Sequence, residues 1–157
     1  MEDKQYFNIL SYKLKKKENI EITVLGDSMY PNLISGDIIT IKKTQSYSLG
    51  DIVVFLYENQ ALLVHRLIIK LNGYFYCKGD NTFRLEKISP KQILGIVNKI
   101  ERSGEMINVP NVPKNFIRHS YQVNQEFCRL NFNRAKLLKS DIYVSYRNKY
   151  LKPPDNN

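Results

Sequence analysis

The dipeptide Asn72-Gly73 constrains the fold more than any other pair in the chain. It separates Ala61–Leu71, a long apolar run, from Tyr74–Lys78, which reads as its return partner. Asn-Gly between two such runs is the strongest short hairpin signal, because both residues tolerate the positive φ angles that a two-residue turn between antiparallel strands demands. The same style continues on either side. Strands are expected over Ile20–Leu25, Ile38–Lys42, Asp51–Tyr57, Gln92–Glu101 and Met106–Val109. Turns are expected at Glu58-Asn59-Gln60 and at Arg102-Ser103-Gly104-Glu105, a short helical turn over Asn32–Gly36, and a loop over Asn81–Pro90. Short strands joined by turns imply a mainly β chain, folded as a coiled antiparallel or barrel-like sheet. Eleven tyrosines and seven phenylalanines supply large side chains for its core. At 157 residues there is enough chain for one domain with a real core.

The two ends differ from this middle. Met1–Asn19 reads as a helix with a loose apolar face of Tyr6, Phe7, Ile9, Leu10, Tyr12 and Leu14. Its C-terminal end carries Lys13 and Lys15–Lys17, where the helix dipole favours cations. Packing on the domain is the simpler role for it, contact with a membrane surface the alternative. No second helix fits before Ile20, so a helix-turn-helix is excluded there and no nucleic-acid partner is expected. Pro110–Pro113 marks a boundary between a domain over 1–110 and a basic helical extension over 111–157. One or two amphipathic helices are expected within Asn115–Leu138, and a disordered tail over Pro153–Asn157.

Taken alone, the net charge of +9 fits an acidic partner, such as an acidic peptide, a membrane surface or nucleic acid, and equally a solvated lysine-rich surface. Cys77 and Cys128 have no Cys-x-x-Cys spacing, which suits free thiols in a reducing compartment. With only two histidines, His65 and His119, a zinc site is not expected, nor is any cofactor. No run of about 18 apolar residues occurs, and the N-terminus is charged from Glu2 onward. A cytoplasmic protein is the expectation, with peripheral membrane contact through the basic helices as the variant reading.

One turn stands out for its chemistry. Gly26-Asp27-Ser28-Met29-Tyr30-Pro31 follows the first expected strand. Gly26 permits backbone angles that other residues avoid, and Pro31 fixes its own φ and biases Tyr30 away from helix. A serine between them is presented at a defined turn, as a nucleophile would be. Six residues alone fit an ordinary strand-to-turn transition equally well. A serine hydroxyl attacks only when a base takes its proton. His65 is the candidate, because imidazole titrates near neutral pH. Strand alternation places it on an apolar face with Leu63 and Leu67, so a half-buried core histidine is the competing reading.

The serine turn is followed by Ser35-Gly36-Asp37-Ile38-Ile39, then Gly50–Phe55 leading to Leu63-Val64-His65-Arg66-Leu67, then Lys78-Gly79-Asp80-Asn81. Together and in this order, over about Ile20–Ile100, these segments resemble the signal peptidase I/LexA-like serine peptidase superfamily. The likeness is closest to the branch with a histidine base, which includes the endoplasmic-reticulum and archaeal signal peptidases. The resemblance implies Ser28 as nucleophile, His65 as base and Asp80 or Glu86 as the acidic partner, with Asp80 favoured because it matches the box itself. It implies an oxyanion hole of backbone N–H groups around Ser28, since Gly26 stands where some relatives carry a serine. Met29 and Tyr30 would line the substrate groove or belong to the core. The implied function is a serine endopeptidase that removes a leader or signal-like segment from an extended peptide. The basic charge suggests an acidic leader. The membrane-anchored relatives carry transmembrane segments, and this sequence departs from them there. A non-catalytic peptide-binding module is the alternative. A LexA-type self-cleaving regulator fits less well, because its base is lysine and it needs a DNA-binding domain and an internal cleavage site.

Overall fold

The Asn72-Gly73 hairpin forms as the sequence requires. In the computed structural model, which describes residues 3–153, Leu71 pairs with Tyr74 and the two turn residues take φ 51° and 77°. The strands it joins are β4 (Ala61–Leu71) and β5 (Tyr74–Lys78). Around them lie β1 (Ile20–Thr23), β2 (Ile38–Lys42), β3 (Ile52–Tyr57), β6 (Glu86–Ile88), β7 (Ile93–Arg102) and β8 (Glu105–Ile107). A helix α1 (Asp3–Lys15) precedes the strands, and a single 3₁₀ turn, Pro90–Gln92, leads into β7. Three helices follow: α2 (Phe116–Arg129), α3 (Arg134–Leu138) and α4 (Asp141–Tyr150).

All strand pairings are antiparallel, in the order β1-β2-β7-β3-β4-β5-β6, with β8 added to β7. β7 organises the sheet. One of its edges takes β2, and the other takes first β3 and then β8. Register shifts at Thr40/Ile41, Val54/Phe55 and Leu67/Ile69 add local twist, and the sheet curls into a half-barrel. The protein is thus mainly β, with a helix before the sheet and helices after it.

β3 is buried along nearly its whole length because both of its faces are covered. Ile52 and Val54 join Ile39, Leu94, Val97 and Ile100 in a core that Leu10 and Leu14 of α1 close. Val53 and Phe55 face the other way, onto Leu67, Cys77, Ile88 and Ile93. The third cluster is helical, built from Phe116, Val123, Phe127, Leu137, Tyr143, Tyr146 and Tyr150, and Phe83 packs against it from the loop before β6.

Two expectations fail. The expected loop over Asn81–Pro90 contains β6, a three-residue edge strand of which only Ile88 is buried, so it lacks the apolar pattern that marks a strand. Asn32–Gly36 forms turns rather than a helical turn, because the buried Asp37 carboxylate accepts from the Ile34 N–H at 2.9 Å and its carbonyl takes the Val24 N–H at 2.8 Å. A third C-terminal helix, α4, lies past Asn115–Leu138 but within the helical extension expected over 111–157. Of the expected tail, Pro153 is exposed and irregular, and residues 154–157 lie outside the described residues.

Candidate active site

Ser28 sits on a turn fixed from two sides. The Tyr30 N–H donates to Asp27 O at 3.0 Å and the Leu33 N–H to Met29 O at 3.0 Å. Gly26 takes φ +78°, where a side chain would be strained. From below, the Asn81 N–H donates to Ser28 O at 2.8 Å and Asn81 Nδ2 to Asp27 O at 3.2 Å. Gly79 lies so close that a Cβ there would stand 2.5 Å from Ser28 O, which only glycine permits. Met29 is buried in the core beneath the turn, and its Sδ accepts from the Asp80 N–H at 3.5 Å. The Lys-Gly-Asp-Asn segment is therefore the floor under the serine turn.

His65 projects from β4 onto the face of Val53 and Phe55, with its ring edge-on to Phe55 at 6.2 Å. Its Nε2 lies 3.1 Å from Ser28 Oγ and its Nδ1 3.1 Å from Glu86 Oε2. In the tautomer with the proton on Nδ1, that N–H donates to Glu86 and Nε2 accepts from the serine hydroxyl. Glu86 arrives through the sheet: Leu67 pairs with Cys77 and Cys77 with Glu86, so the carboxylate shares the face of His65. The serine, the imidazole and the carboxylate form one continuous line, with both side chains behind the serine largely removed from water.

Asp80, the favoured acidic partner on sequence, does not reach this line. Its carboxylate takes Arg66 in a fork, Nε to Oδ1 at 2.8 Å and Nη2 to Oδ2 at 2.7 Å, and Asn32 Nδ2 at 2.8 Å. Alternation along β4 explains the difference, because Arg66 points to the opposite face from His65. Arg66 also donates to Gly50 O at 2.8 Å and lies 5.3 Å from the Phe116 ring centroid. Asp80 and Arg66 therefore tie three segments together beneath α2. Tyr30 and Gly26 flank the cleft without lining it, whereas Met29 serves both cleft and core.

Sequence reasoning gave Lys78 no role. It is wholly buried, and its Nζ donates to Gly79 O at 2.9 Å and Thr82 O at 2.6 Å. Burial pushes its ammonium down to about 8, against the raising influence of Asp80 and Glu86. A lysine beside a glycine and an aspartate looks like surface, and nothing in the sequence marks it as interior.

A cleft of about 450 Å³ opens above Ser28 and His65. One wall is Ile22–Leu25 at the end of β1, and the other is Leu62–His65 of β4. Both walls are strand edges that no neighbouring strand pairs within the cleft. Val24 spends its N–H and C=O toward Asp37 and Gly36, so Thr23 and Leu25 turn theirs to the cleft. On β4 the Leu62 N–H points into the cleft and donates to Asp3 Oδ2 of α1 at 2.9 Å. Among the described residues no cluster of metal-ligating side chains occurs, Cys77 and Cys128 are free, and no helix is long and apolar enough to cross a membrane.

The curled antiparallel sheet and the serine on its glycine-proline turn fit the LexA/signal peptidase superfamily of serine peptidases, and a family match places the chain there. The family described as Peptidase S24-like matches residues 1–99, from α1 to most of β7, and the chain belongs to that family. No curated protein matches the chain.

Proposed function

We propose that this protein is a serine endopeptidase in which Ser28 attacks, His65 takes the proton and Glu86 holds the imidazole. The observation that carries this reading is the pair of 3.1 Å contacts that run from Ser28 through His65 to Glu86 at the base of the cleft. Glu86 fixes the tautomer that leaves Nε2 free to accept, and stabilises the imidazolium once it forms. The oxyanion of the tetrahedral intermediate is met by backbone N–H groups of the serine turn, the Ser28 amide first, since Gly26 brings no hydroxyl. His65 then delivers its proton to the leaving amine and activates the water that releases the acyl group.

The substrate is an extended peptide that adds a strand between the Thr23–Leu25 and Leu62–Val64 edges. Its chemistry in this reading is a leader or signal-like segment of a peptide precursor, and a net charge of +9 favours an acidic one. The free thiols Cys77 and Cys128 suit an encounter in the cytoplasm.

The test is reaction of the purified protein with a fluorophosphonate probe, beside Ser28→Ala and His65→Ala. Labelling at Ser28 is expected, lost in the first variant and reduced roughly 10²–10⁴-fold in the second. A folded wild type that takes no label would mean a binding module instead. The family match favours a second reading, self-cleavage. Intact mass followed over time in the absence of any peptide decides it, because fragments of the chain itself would appear.

A further inference from the structure

Five residues separate Asp80 from Glu86, and the segment that runs from one to the other touches both ends of the catalytic line. Asn81 supports the serine turn and Glu86 supports His65. The same segment is gripped from outside by the C-terminal helices. Tyr146 Oη of α4 donates to the buried Asp80 carbonyl at 2.6 Å. Asn124 Nδ2 of α2 donates to Phe83 O at 3.2 Å. The Phe83 ring packs edge-on against Phe127 and Tyr143, each at 5.4 Å between centroids. Arg84 lies over Phe132 at 4.2 Å. These contacts hold main chain as well as side chains, and they fall on consecutive parts of one short loop.

We propose that the C-terminal helices are a positioning element for the active site, with Tyr146 as the residue that sets the loop carrying Glu86. This inference deepens the peptidase reading and rests on it for its activity test. Tyr146 touches neither substrate nor reacting atoms. It acts through the Asp80 carbonyl, which has no freedom to move while the hydroxyl holds it. Burial pushes the Tyr146 phenol far above its ordinary range, with the nearby Asp80 adding to the effect, so the hydroxyl stays a donor. Removing that donor strands a buried carbonyl, and the loop then relaxes toward water at the expense of the His65–Glu86 contact.

A double-mutant cycle tests this directly. Tyr146→Phe is expected to slow fluorophosphonate labelling roughly tenfold, the scale of one buried unsatisfied group. In a Glu86→Gln background the same change is expected to slow it no further, because the step through which Tyr146 acts has already been lost. A merely structural tyrosine would give the same fold-loss in both backgrounds, and that result overturns the proposal. Asn124→Ala, on the partly buried Phe83 carbonyl, repeats the cycle if Tyr146→Phe fails to fold. A second readout is independent of activity. The proton between His65 Nδ1 and Glu86 gives a downfield imidazole resonance by NMR that Glu86→Gln removes. Its broadening or loss in Tyr146→Phe supports the clamp, and its persistence unchanged overturns it. Failure of the wild type to label, with that resonance responding as expected, sinks the peptidase reading and leaves the clamp standing.

Discussion

Two carboxylates, Asp80 and Glu86, stand six residues apart in different kinds of work, and single substitutions separate them. Glu86→Gln keeps the shape and removes the charge behind His65. Labelling by a fluorophosphonate is expected to fall roughly 10²–10⁴-fold with the thermal midpoint nearly unchanged. Asp80→Asn leaves Arg66 buried without its counter-charge, at a cost of about 3–5 kcal/mol, so chemical denaturation should register it first. The sequence could not make this division. Asp80 lies in the recognisable box, and Glu86 lies in what reads as loop. Ser28 and His65 were named together on the ordered resemblance, since the turn alone fits an ordinary transition and the apolar strand around His65 alone fits a core histidine. Their 3.1 Å approach depends on the curl of the sheet, which no local pattern encodes.

Lys78 makes a separate prediction. Its ammonium titrates near 8 in the folded protein and near 10.5 in an open chain. Between those values the unfolded chain holds a proton that the folded one has released, so this residue adds stability as pH rises, by up to ~1.4 kcal/mol per unit. From about pH 9 the Cys77 thiol works the other way, because burial, with Glu86 adding, holds it protonated in the folded state while an unfolded thiol ionises. The expected gain is therefore confined to pH 8–9. Urea midpoints across that window should rise in the wild type and fail to rise in Lys78→Met.

At the scale of elements, the hairpin of β4 and β5 was readable residue for residue, because Asn72-Gly73 and a long apolar run leave one register. β6 was not, since an edge strand of three residues needs only one buried side chain. α4 had no bounds of its own within the helical extension for a related reason: its buried face is three tyrosines, Tyr143, Tyr146 and Tyr150, which read as polar-tipped surface. The serine turn and the floor segment meet backbone to backbone. Gly79→Ala would force a methyl against Ser28 O at 2.5 Å, with Thr82 Cγ2 at 2.8 Å. Labelling of Ser28 is expected to fall more than stability does. Equal losses would mean that the floor shapes the fold and not the turn.

For the whole molecule, the matched family ends at residue 99, yet the packing does not. Phe83 belongs to the helical cluster, Arg66 lies against Phe116, and Tyr146 reaches Asp80. A chain cut after Pro110 would bare all three. It is expected to lose the cooperative melting of the full chain and to take no label, as calorimetry and the fluorophosphonate probe would show. Composition did reveal the change of character beyond Pro113, because charge and apolar spacing shift there. What it hid is that basic, polar-looking helices cover part of the β-rich core.

The Tyr146 bond also has a meaning in time. Its two ends lie 66 residues apart, with the acceptor made first. At roughly 5–20 residues per second of synthesis, the Asp80 carbonyl waits about 3–13 s for its donor. During that interval Ser28, His65 and Glu86 already exist on the nascent chain without the brace between them. In the reading proposed above, full reactivity would come only with the last helix, once the chain's own synthesis is nearly finished.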